Sequence, residues 1–236
     1  MLSFQYHPDI LARFPDLAGG IILAGGLVNG PSPAALQSAF AAEQRRVLSQ
    51  VGERPLSELP TLAAWRSAFR GFGVNPTKYR SAAEALLRRL VKKGDIPSIN
   101  VLVDLCNLAS IRYALPVAAF DVKDLRGGIT VRFAGGQERF TPLGESAPEQ
   151  PEPGEVIFAD ESGLVVARRW CWRQSAESAA GLETRQAIFT IEAQHPGGAA
   201  QVQAALDDLL SLLEEYSGGR FKHAVLAVTG VQKIEA

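Results

Sequence analysis

One segment, residues 99–111, combines an almost wholly apolar helical pattern with a polar stripe along one side. Read as a helix, it places Asn100, Asp104 and Asn107 at i, i+4 and i+7, on one face. A helix that is apolar on its other sides is buried, and an unsatisfied buried amide or carboxylate costs about 1–3 kcal/mol or more. The three side chains must therefore either brace neighbouring backbone or line a polar pocket sunk into the core.

The composition indicates a globular protein without a strong charge bias. Of the 236 residues, 47% are hydrophobic and 21% are charged, and the formal net charge is -1. This balance argues against nucleic-acid binding through bulk charge but leaves a local basic patch open. No apolar run reaches the ~20 residues of a membrane span, and two cysteines suit a reducing compartment. We therefore expect a cytoplasmic protein that does not contact the membrane.

Neither a cofactor nor a metal ion is expected. The glycines at 25–30 and 71–73 do not form a dinucleotide-binding fingerprint, and turns explain them. The three histidines, His7, His195 and His223, are scattered along the chain without ligand spacing.

Helical patterns dominate the first half of the chain and strand patterns the second, which predicts an α+β fold. Strands are expected over 21–28, 129–133, 138–141, 155–159, 164–170, 186–193 and 224–228, and helices over 33–50, 62–69, 82–93, 99–111 and 199–216. Gly135 and Gly136 predict a hairpin between 129–133 and 138–141. We expect one domain with a mixed or antiparallel β-sheet core, an N-terminal helical lobe and a C-terminal amphipathic helix. Residues 1–60 would form an N-terminal extension packed on a domain over 61–236.

Several short segments, in this order and spacing, carry a family resemblance. They are the segments at 97–100, 103–107, 116–121, 125–127, 129–132 and 154–160. With them, the chain from about residue 65 to residue 219 resembles the B3/B4 module of the bacterial phenylalanyl-tRNA synthetase beta subunit, especially free-standing proteins that carry this module alone. The resemblance implies a B3/B4-like fold over 61–236. In the synthetase the module hydrolyses the ester bond of tyrosine that has been wrongly attached to phenylalanine-specific tRNA.

Two positions depart from the family pattern at the implied editing pocket. Ala118 stands where the synthetase module usually has a histidine, and Cys106 stands where it often has a threonine. A methyl group cannot replace an imidazole in binding a substrate, so the pocket chemistry must differ. Either the chain edits with other groups, or it has kept the fold and lost editing.

A second candidate group lies in residues 168–175, where arginines alternate with two tryptophans. Arg173 can hold a carboxylate, phosphate or ester carbonyl through its rigid fork of donors, and Trp172 can stack on an aromatic ring or base. Gln174 and Thr184 can position a water molecule. The structural alternative is a strand that packs its tryptophans inward and holds its arginines at the surface.

The polar stripe has two interpretations as well. In the catalytic one, Asp104 orients a water molecule or a ligand amine, while Asn100 and Asn107 bind the substrate. In the structural one, the same side chains tie down adjacent loops. Cys106 lies one position from the stripe and can face either way; plain apolar packing is favoured over a nucleophilic role, because no histidine lies near it in sequence.

Together with the polar stripe, the family resemblance implies hydrolysis, in trans, of the aminoacyl ester of a mischarged tRNA, without ligase activity. The predicted catalytic residues are Asp104, Arg173, Gln174 and Thr184, and the predicted substrate-binding residues are Asn100, Asn107, Cys106, Trp172 and Ala118. The alternative is a non-catalytic module that binds RNA or a small amino-acid-like ligand. The basic helix near residues 78–93 is a candidate contact for a phosphate backbone, although such faces are usually only solvated. No oligomeric state is predicted.

Overall fold

The structure is a computed structural model that describes residues 2–236 as two β-sheets and six α-helices. The helices are α1 (Pro8–Arg13), α2 (Ala34–Val51), α3 (Pro60–Gly71), α4 (Ala82–Lys93), α5 (Val101–Tyr113) and α6 (Gly198–Tyr216). The strands are β1 (Ser3–Tyr6), β2 (Ala18–Gly25), β3 (Val117–Asp121), β4 (Ile129–Phe133), β5 (Val156–Ala159), β6 (Val165–Arg168), β7 (Arg173–Gln174), β8 (Gln186–Ala193), β9 (Arg220–Ala227) and β10 (Lys233–Glu235). The predicted α+β class is confirmed.

The two sheets differ in strand direction. One has six strands in the order β10-β1-β4-β5-β6-β7 and is mixed, because β1 runs parallel to β4. The other has four strands in the order β3-β8-β2-β9, and every neighbouring pair is antiparallel. At its centre β2 and β8 pair over their full length, from Ala18 opposite Ala193 to Gly25 opposite Gln186.

The two central strands of the four-stranded sheet, β2 and β8, are buried on both faces. One face packs against α5 and α6, where Ile22 and Phe189 meet Leu206. The other face packs against the six-stranded sheet, and there Ile188 joins a core that includes Phe158. Because successive side chains of a strand point to opposite faces, β2 and β8 serve both cores. This explains why β8 carries apolar residues on both faces, as in the run Ala187-Ile188-Phe189.

Local signals set the ends of two site-forming helices. At α4, the Ser81 hydroxyl accepts a hydrogen bond from the Glu84 N–H, and Gly94 ends the helix with a left-handed backbone (φ 80°). At α5, the Asn100 side chain accepts from the Val103 N–H at 3.0 Å. Asn100 is thus the N-cap, and the first member of the predicted polar stripe lies just outside the helix.

The predicted hairpin at residues 135–136 is wrong. The Glu138 carboxylate accepts N–H groups of Gly135, Gly136 and Gln137 and so closes a loop. The antiparallel partner of β4 is β5, which is farther along the chain. The N-terminal region contributes more than helices, since β1 joins one sheet and β2 the other. The division of the chain at residue 60 stays a prediction.

Candidate functional site

A cavity of about 420 Å³ opens beside α5, with walls from both sheets. This volume lies in the range of small-molecule sites, ~300–1,000 Å³. Glu192 and Trp170 lie at its closed end, with exposed fractions of 2% and 0%, whereas Ile99 and Leu143 at its mouth are each 62% exposed. The remaining lining is mostly apolar and comes from β3, β5, β6, β8 and residues 179–180. The cavity therefore has an apolar body, a buried acidic end and an open end.

One face of α5 forms a wall of this cavity. Val103, Cys106 and Asn107 line it. Burial holds the pKa of the Cys106 thiol well above its usual value, so the sulfur stays protonated near neutral pH and is a poor nucleophile. Cys106 thus forms part of an apolar wall, and Asn107 brings an amide to it.

Asp104 and Asn100 are not among the lining residues. Asp104 lies about 100° around the helix from Val103. Its fully buried carboxylate accepts hydrogen bonds from Ser32 Oγ at 2.6 Å, from Ser98 Oγ, and from the Ile99 N–H at 2.8 Å. Asp104 thus lies outside the cavity lining and braces residues 32 and 98–99, and its catalytic role stays a prediction.

Residues 180–184 are braced in a similar way from behind the cavity. Asn100 donates to the Ala180 carbonyl at 3.0 Å, and Asn29 donates to the Gly181 carbonyl at 2.8 Å. Thr184 donates to Asp121 Oδ2 at 2.5 Å and accepts the Gly181 N–H at 2.9 Å. Asn100 and Thr184, predicted to bind substrate and to act in catalysis, thus hold this loop and do not line the cavity.

The chain turns sharply between β6 and β7, at the other wall of the cavity. Arg169 and Trp170 both have left-handed backbones, with φ of 46° and 61°. For residues other than glycine such conformations cost about 1–3 kcal/mol each and persist where the surroundings hold them. Here the Trp170 ring packs edge-on against Trp65 and Phe14, with centroids 5.3 and 4.9 Å away. The strained turn places Trp172 and Arg173 at the cavity.

Two arginines of this segment are buried ionic partners, contrary to the surface position in the structural alternative. Arg168 and Arg169 are 5% and 6% exposed, and both pair with Glu155, at 2.8 Å in each case. The Arg169 guanidinium also lies 4.0 Å from the Tyr79 ring centroid and 4.8 Å from that of Trp172. Cation–π contacts of this kind hold the Trp172 ring in place.

The mouth of the cavity carries Arg173 and Gln174. Arg173 is exposed, and its guanidinium carbon lies 4.9 Å from the Trp172 ring centroid. The Gln174 side-chain NH₂ donates to the carbonyls of Ala119 at 2.8 Å and Ser178 at 2.6 Å. Both amide hydrogens are therefore used, and the group that Gln174 can offer to a ligand or water is its side-chain oxygen.

Glu192 is the cavity residue that the sequence reasoning missed. It lies on β8, where its carboxylate accepts from Tyr6 Oη at 2.8 Å and from Trp170 Nε1 at 3.1 and 3.2 Å. Burial raises its pKa to about 7, although both hydrogen bonds oppose this shift. The available signal was an acidic residue on the inward-facing side of a strand, two positions after Thr190. A carboxyl group that titrates near neutral pH inside a cavity is a candidate for ligand binding or proton transfer.

Six of the nine predicted site residues line this one cavity. They are Asn107, Cys106, Ala118, Trp172, Arg173 and Gln174. Among residues 2–236, no group of three or more histidine, cysteine, aspartate or glutamate side chains is arranged to hold a metal ion. Over the same part of the chain, no helix is long and apolar enough to cross a membrane.

Fold and site together define a class of protein: an α+β domain that encloses a mostly apolar pocket with a few convergent polar groups, as small-molecule sites do. Comparison with known families is consistent with this class and names it. The model of the B3/4 domain family matches residues 64–218. The chain belongs to the B3/4 domain family, as the resemblance of its short segments predicted.

Curated relatives with this similarity are phenylalanine–tRNA ligase beta subunits. The subunit of Shewanella oneidensis is 29% identical over 99 residues, which are 42% of this chain and 12% of the relative. That of Aquifex aeolicus is 33% identical over 99 residues, or 42% of this chain and 13% of the relative. The similarity thus spans only a small part of these relatives.

A solved structure also overlaps the chain broadly. It is an N-terminal fragment of the phenylalanyl-tRNA synthetase beta subunit from Pyrococcus horikoshii, with a TM-score of 0.48 and 12% sequence identity. The overlap covers 93% of this chain and 50% of the fragment. The family match and the curated relatives support a tRNA-synthetase-related module.

Proposed function

We propose that the protein hydrolyses an aminoacyl ester carried by a tRNA, with the amino-acid side chain held inside the cavity. The observation that carries this proposal is the polarity of the cavity: a buried carboxyl group at the closed end, apolar walls between, and Arg173 at the open end. A small side chain fits within about 420 Å³, whereas an attached RNA must stay outside. The ester linking the two then lies at the mouth.

The closed end favours one kind of side chain. Both oxygens of Glu192 accept from the Trp170 N–H. Oε1 accepts a second hydrogen bond, from Tyr6 Oη, whereas Oε2 has no other donor. A carboxylate oxygen has two lone-pair sites, so Oε2 can accept one more hydrogen bond. An aromatic or apolar side chain that ends in a donor, such as the phenol of tyrosine, satisfies both the walls and this oxygen. Phenylalanine makes the same apolar contacts but leaves the second lone pair of Oε2 without a donor.

The groups at the mouth supply the chemistry of ester cleavage. The side-chain oxygen of Gln174 accepts a hydrogen bond from water and directs the water oxygen at the ester carbonyl. As the water oxygen bonds to the carbonyl carbon, the electrons of the C=O double bond move to the carbonyl oxygen, and the Arg173 guanidinium stabilises the resulting negative charge. The bond between the carbonyl carbon and the ribose oxygen then breaks, and the proton lost by the water ends on that ribose oxygen. The products are the free amino acid and an uncharged tRNA.

A basic groove supports the RNA partner. It encloses about 540 Å³ and is lined by Arg54, Arg80, Arg88 and Lys92. Half of its lining belongs to α4 and its approach, where Arg80 and Arg88 also pair with Glu84, and α4 begins beside the cavity at Ala82. One helix thus connects the cavity mouth to a cationic surface, although the net charge of the chain is only -1. Such a surface suits the phosphates next to an esterified terminus.

The proposal is tested by deacylation of a panel of tRNAs, each esterified with tyrosine, phenylalanine or another amino acid. The wild-type protein is expected to release tyrosine faster than phenylalanine. Arg173→Ala is expected to lower turnover by about 10²-fold or more, in line with the loss of one oxyanion donor. Arg126→Ala is a matched control, because Arg126 is exposed and does not line the cavity. The proposal fails if no ester turns over above its uncatalysed rate.

A second function, binding without hydrolysis, is favoured by one observation. The wall position Ala118 carries only a methyl group, and burial raises the pKa of both cavity thiols, Cys106 and Cys171, so these positions supply no proton-transfer group near neutral pH, while Glu192, which titrates there, lies at the closed end and not beside the ester. A module of this kind would bind a non-hydrolysable 3′-amide analogue of tyrosyl-adenosine and leave the corresponding ester intact. Arg173→Ala would then weaken binding with no turnover to lose.

A further inference from the structure

Tyr6, near the start of the chain, reaches the closed end of the cavity from outside the part that matches the family. It ends β1, which belongs to the six-stranded sheet, where Tyr6 lies opposite Val131 of β4. Its hydroxyl donates to Glu192 Oε1 at 2.8 Å, across 186 positions of sequence. The family match begins only at residue 64. A residue of the N-terminal segment therefore contacts a side chain of the cavity.

The approach of Tyr6 depends on a glycine in the neighbouring sheet. Gly19 of β2 lies directly opposite Glu192 of β8. A Cβ atom added to Gly19 would lie 2.0 Å from Tyr6 Oη, far inside contact distance. Only a residue without a side chain leaves this opening, through which the phenol passes over β2 to the carboxylate.

The Tyr6 ring is held rigidly on its way to Glu192. It is 3% exposed and packs edge-on against Phe4, with ring centroids 5.4 Å apart. A buried hydroxyl with a fixed ring has one place to donate, and here that place is Oε1. Oε1 thereby receives two donors, from Tyr6 and Trp170, and Oε2 receives one.

We propose that Tyr6 is a positioning residue that fixes the Glu192 carboxylate, saturates Oε1 and leaves Oε2 as the acceptor for the ligand. This inference rests on the proposed function and adds to it a residue that acts only through Glu192. Without the Tyr6 hydroxyl, Oε1 and Oε2 become equivalent acceptors and the carboxyl group can turn. The protein then distinguishes less well between ligand side chains that differ by one hydrogen-bond donor, such as those of tyrosine and phenylalanine.

The same hydrogen bond favours the ionised form of Glu192. The titratable groups facing Glu192 are Tyr6 from β1 and Cys171 from the turn after β6, whereas β2 contributes the uncharged Gly19. Burial raises the pKa of Tyr6 well above its ordinary value, and burial with the nearby Glu192 charge does the same for Cys171, so both stay protonated as Glu192 titrates. Removing the phenol hydroxyl takes a donor from the carboxylate and raises its pKa further.

The test uses the full-length protein and the variant Tyr6→Phe, which keeps the ring and removes only the hydroxyl. The titration of Glu192 is followed by ¹³C NMR of its side-chain carboxyl group, without ligand. The midpoint is expected to rise by about one pH unit. Tyr113→Phe is the matched control, because the Tyr113 hydroxyl bonds the Ala204 carbonyl and not the cavity. An unchanged midpoint in Tyr6→Phe overturns the proposal.

The second readout is the affinity for non-hydrolysable 3′-amide analogues of tyrosyl- and phenylalanyl-adenosine. Tyr6→Phe is expected to lower the ratio of the two affinities, tyrosyl over phenylalanyl, by about tenfold. Tyr113→Phe is expected to leave this ratio unchanged. Should Tyr6→Phe not fold, 3-fluorotyrosine at position 6 is used, since its more acidic phenol is a stronger donor. It is then expected to lower the Glu192 midpoint, and a rise or no change overturns the proposal. If neither analogue binds the wild type, the proposed function fails, while the ligand-free titration still decides the role of Tyr6.

Discussion

Replacing Asp104 separates the two interpretations of the polar stripe, because the structure gives this carboxylate three donors and no place on the cavity wall. In Asp104→Ala, Ser32 Oγ and the Ile99 N–H lose the acceptor they approach at 2.6 and 2.8 Å, and Ser98 Oγ loses the same partner. Ser32 is 6% exposed, so water reaches it poorly, whereas Ser98 is exposed and regains water. Only part of the lost bonding is therefore recovered from solvent.

The expected loss of stability follows from these contacts. Hydrogen bonds to a charged group contribute about 1.5–3 kcal/mol each, and one buried donor stays unsatisfied, so Asp104→Ala is expected to cost about 3–5 kcal/mol. For a chain of this size each kcal/mol lowers Tm by roughly 2–4 °C, which gives a decrease of about 6–20 °C. Asp104→Asn keeps an oxygen for the Ile99 N–H, and its NH₂ can donate to serine oxygens. It is expected to cost about 1–2 kcal/mol.

Thermal and urea unfolding, followed by the fluorescence of the buried Trp65 and Trp170, measures these changes. Deacylation or analogue binding, measured well below the lowered Tm, is expected to stay within about twofold of wild type. Asn107→Ala is the companion variant, because Asn107 lines the cavity and is only partly buried. It is expected to change ligand binding more than stability. An Asp104→Asn variant with wild-type stability and a tenfold loss of turnover would refute the bracing role.

Three further predictions concern carboxylates. Glu155→Gln removes the buried carboxylate that Arg168 and Arg169 share, leaves them only the exposed Glu149 and Glu152, and is expected to cost about 3–5 kcal/mol in urea unfolding; a cost below 1 kcal/mol would contradict the contact. The pKa of Glu192, raised by burial from 4.5 to about 7, makes its contribution to stability decline as pH rises between these values. Relative to wild type, the free energy of unfolding of Glu192→Gln is therefore expected to increase by up to about 3 kcal/mol between pH 4.5 and 7 and to stay level above pH 7. A difference in unfolding free energy that does not change with pH would exclude the raised pKa. Burial would raise the pKa of Glu138, but hydrogen bonds from Gly135 and Arg132 hold it at about 2, so its stabilisation is present above pH 4.5 and is lost as pH falls toward 2. The free energy of unfolding of Glu138→Gln is expected to fall less steeply than that of wild type as the pH is lowered from 4.5 toward 2. An equal pH dependence in the two proteins would disprove this.

Elements with local signals could be predicted from the sequence, and those decided by distant contacts could not. The bounds of α4 follow from Ser81 and Gly94, whose capping roles are set within a few residues. The pair Gly135-Gly136 gave a hairpin signal too, but the strand that pairs with β4 is 156–159. The choice between partners depends on the packing of the whole sheet, which no short window contains.

The candidate site shows the same division. Trp172, Arg173 and Gln174 stand out because their segment has an unusual local composition, and the structure places all three at the cavity. The polar stripe was resolved less well. Asp104 and Asn107 are separated by only about 60° around the axis of α5. Even so, Asn107 faces the cavity and Asp104 faces a loop. Ser32, which directly precedes the helix predicted over 33–50, supplies one of the donors that occupy Asp104.

Glu192 and Tyr6 mark the limit of sequence reasoning for another reason. Each is unremarkable within its own strand, and their significance lies in a contact between residues 186 positions apart. That contact also bears on the N-terminal 60 residues. β2 lies between β8 and β9 in the four-stranded sheet, Gly19 leaves the opening beside Glu192, and Tyr6 fills it. The carboxylate at the closed end of the cavity is therefore held jointly by residues inside and outside the family match. In the proposed function, the selection of a ligand by Glu192 depends on Tyr6 and Gly19 as well as on β8.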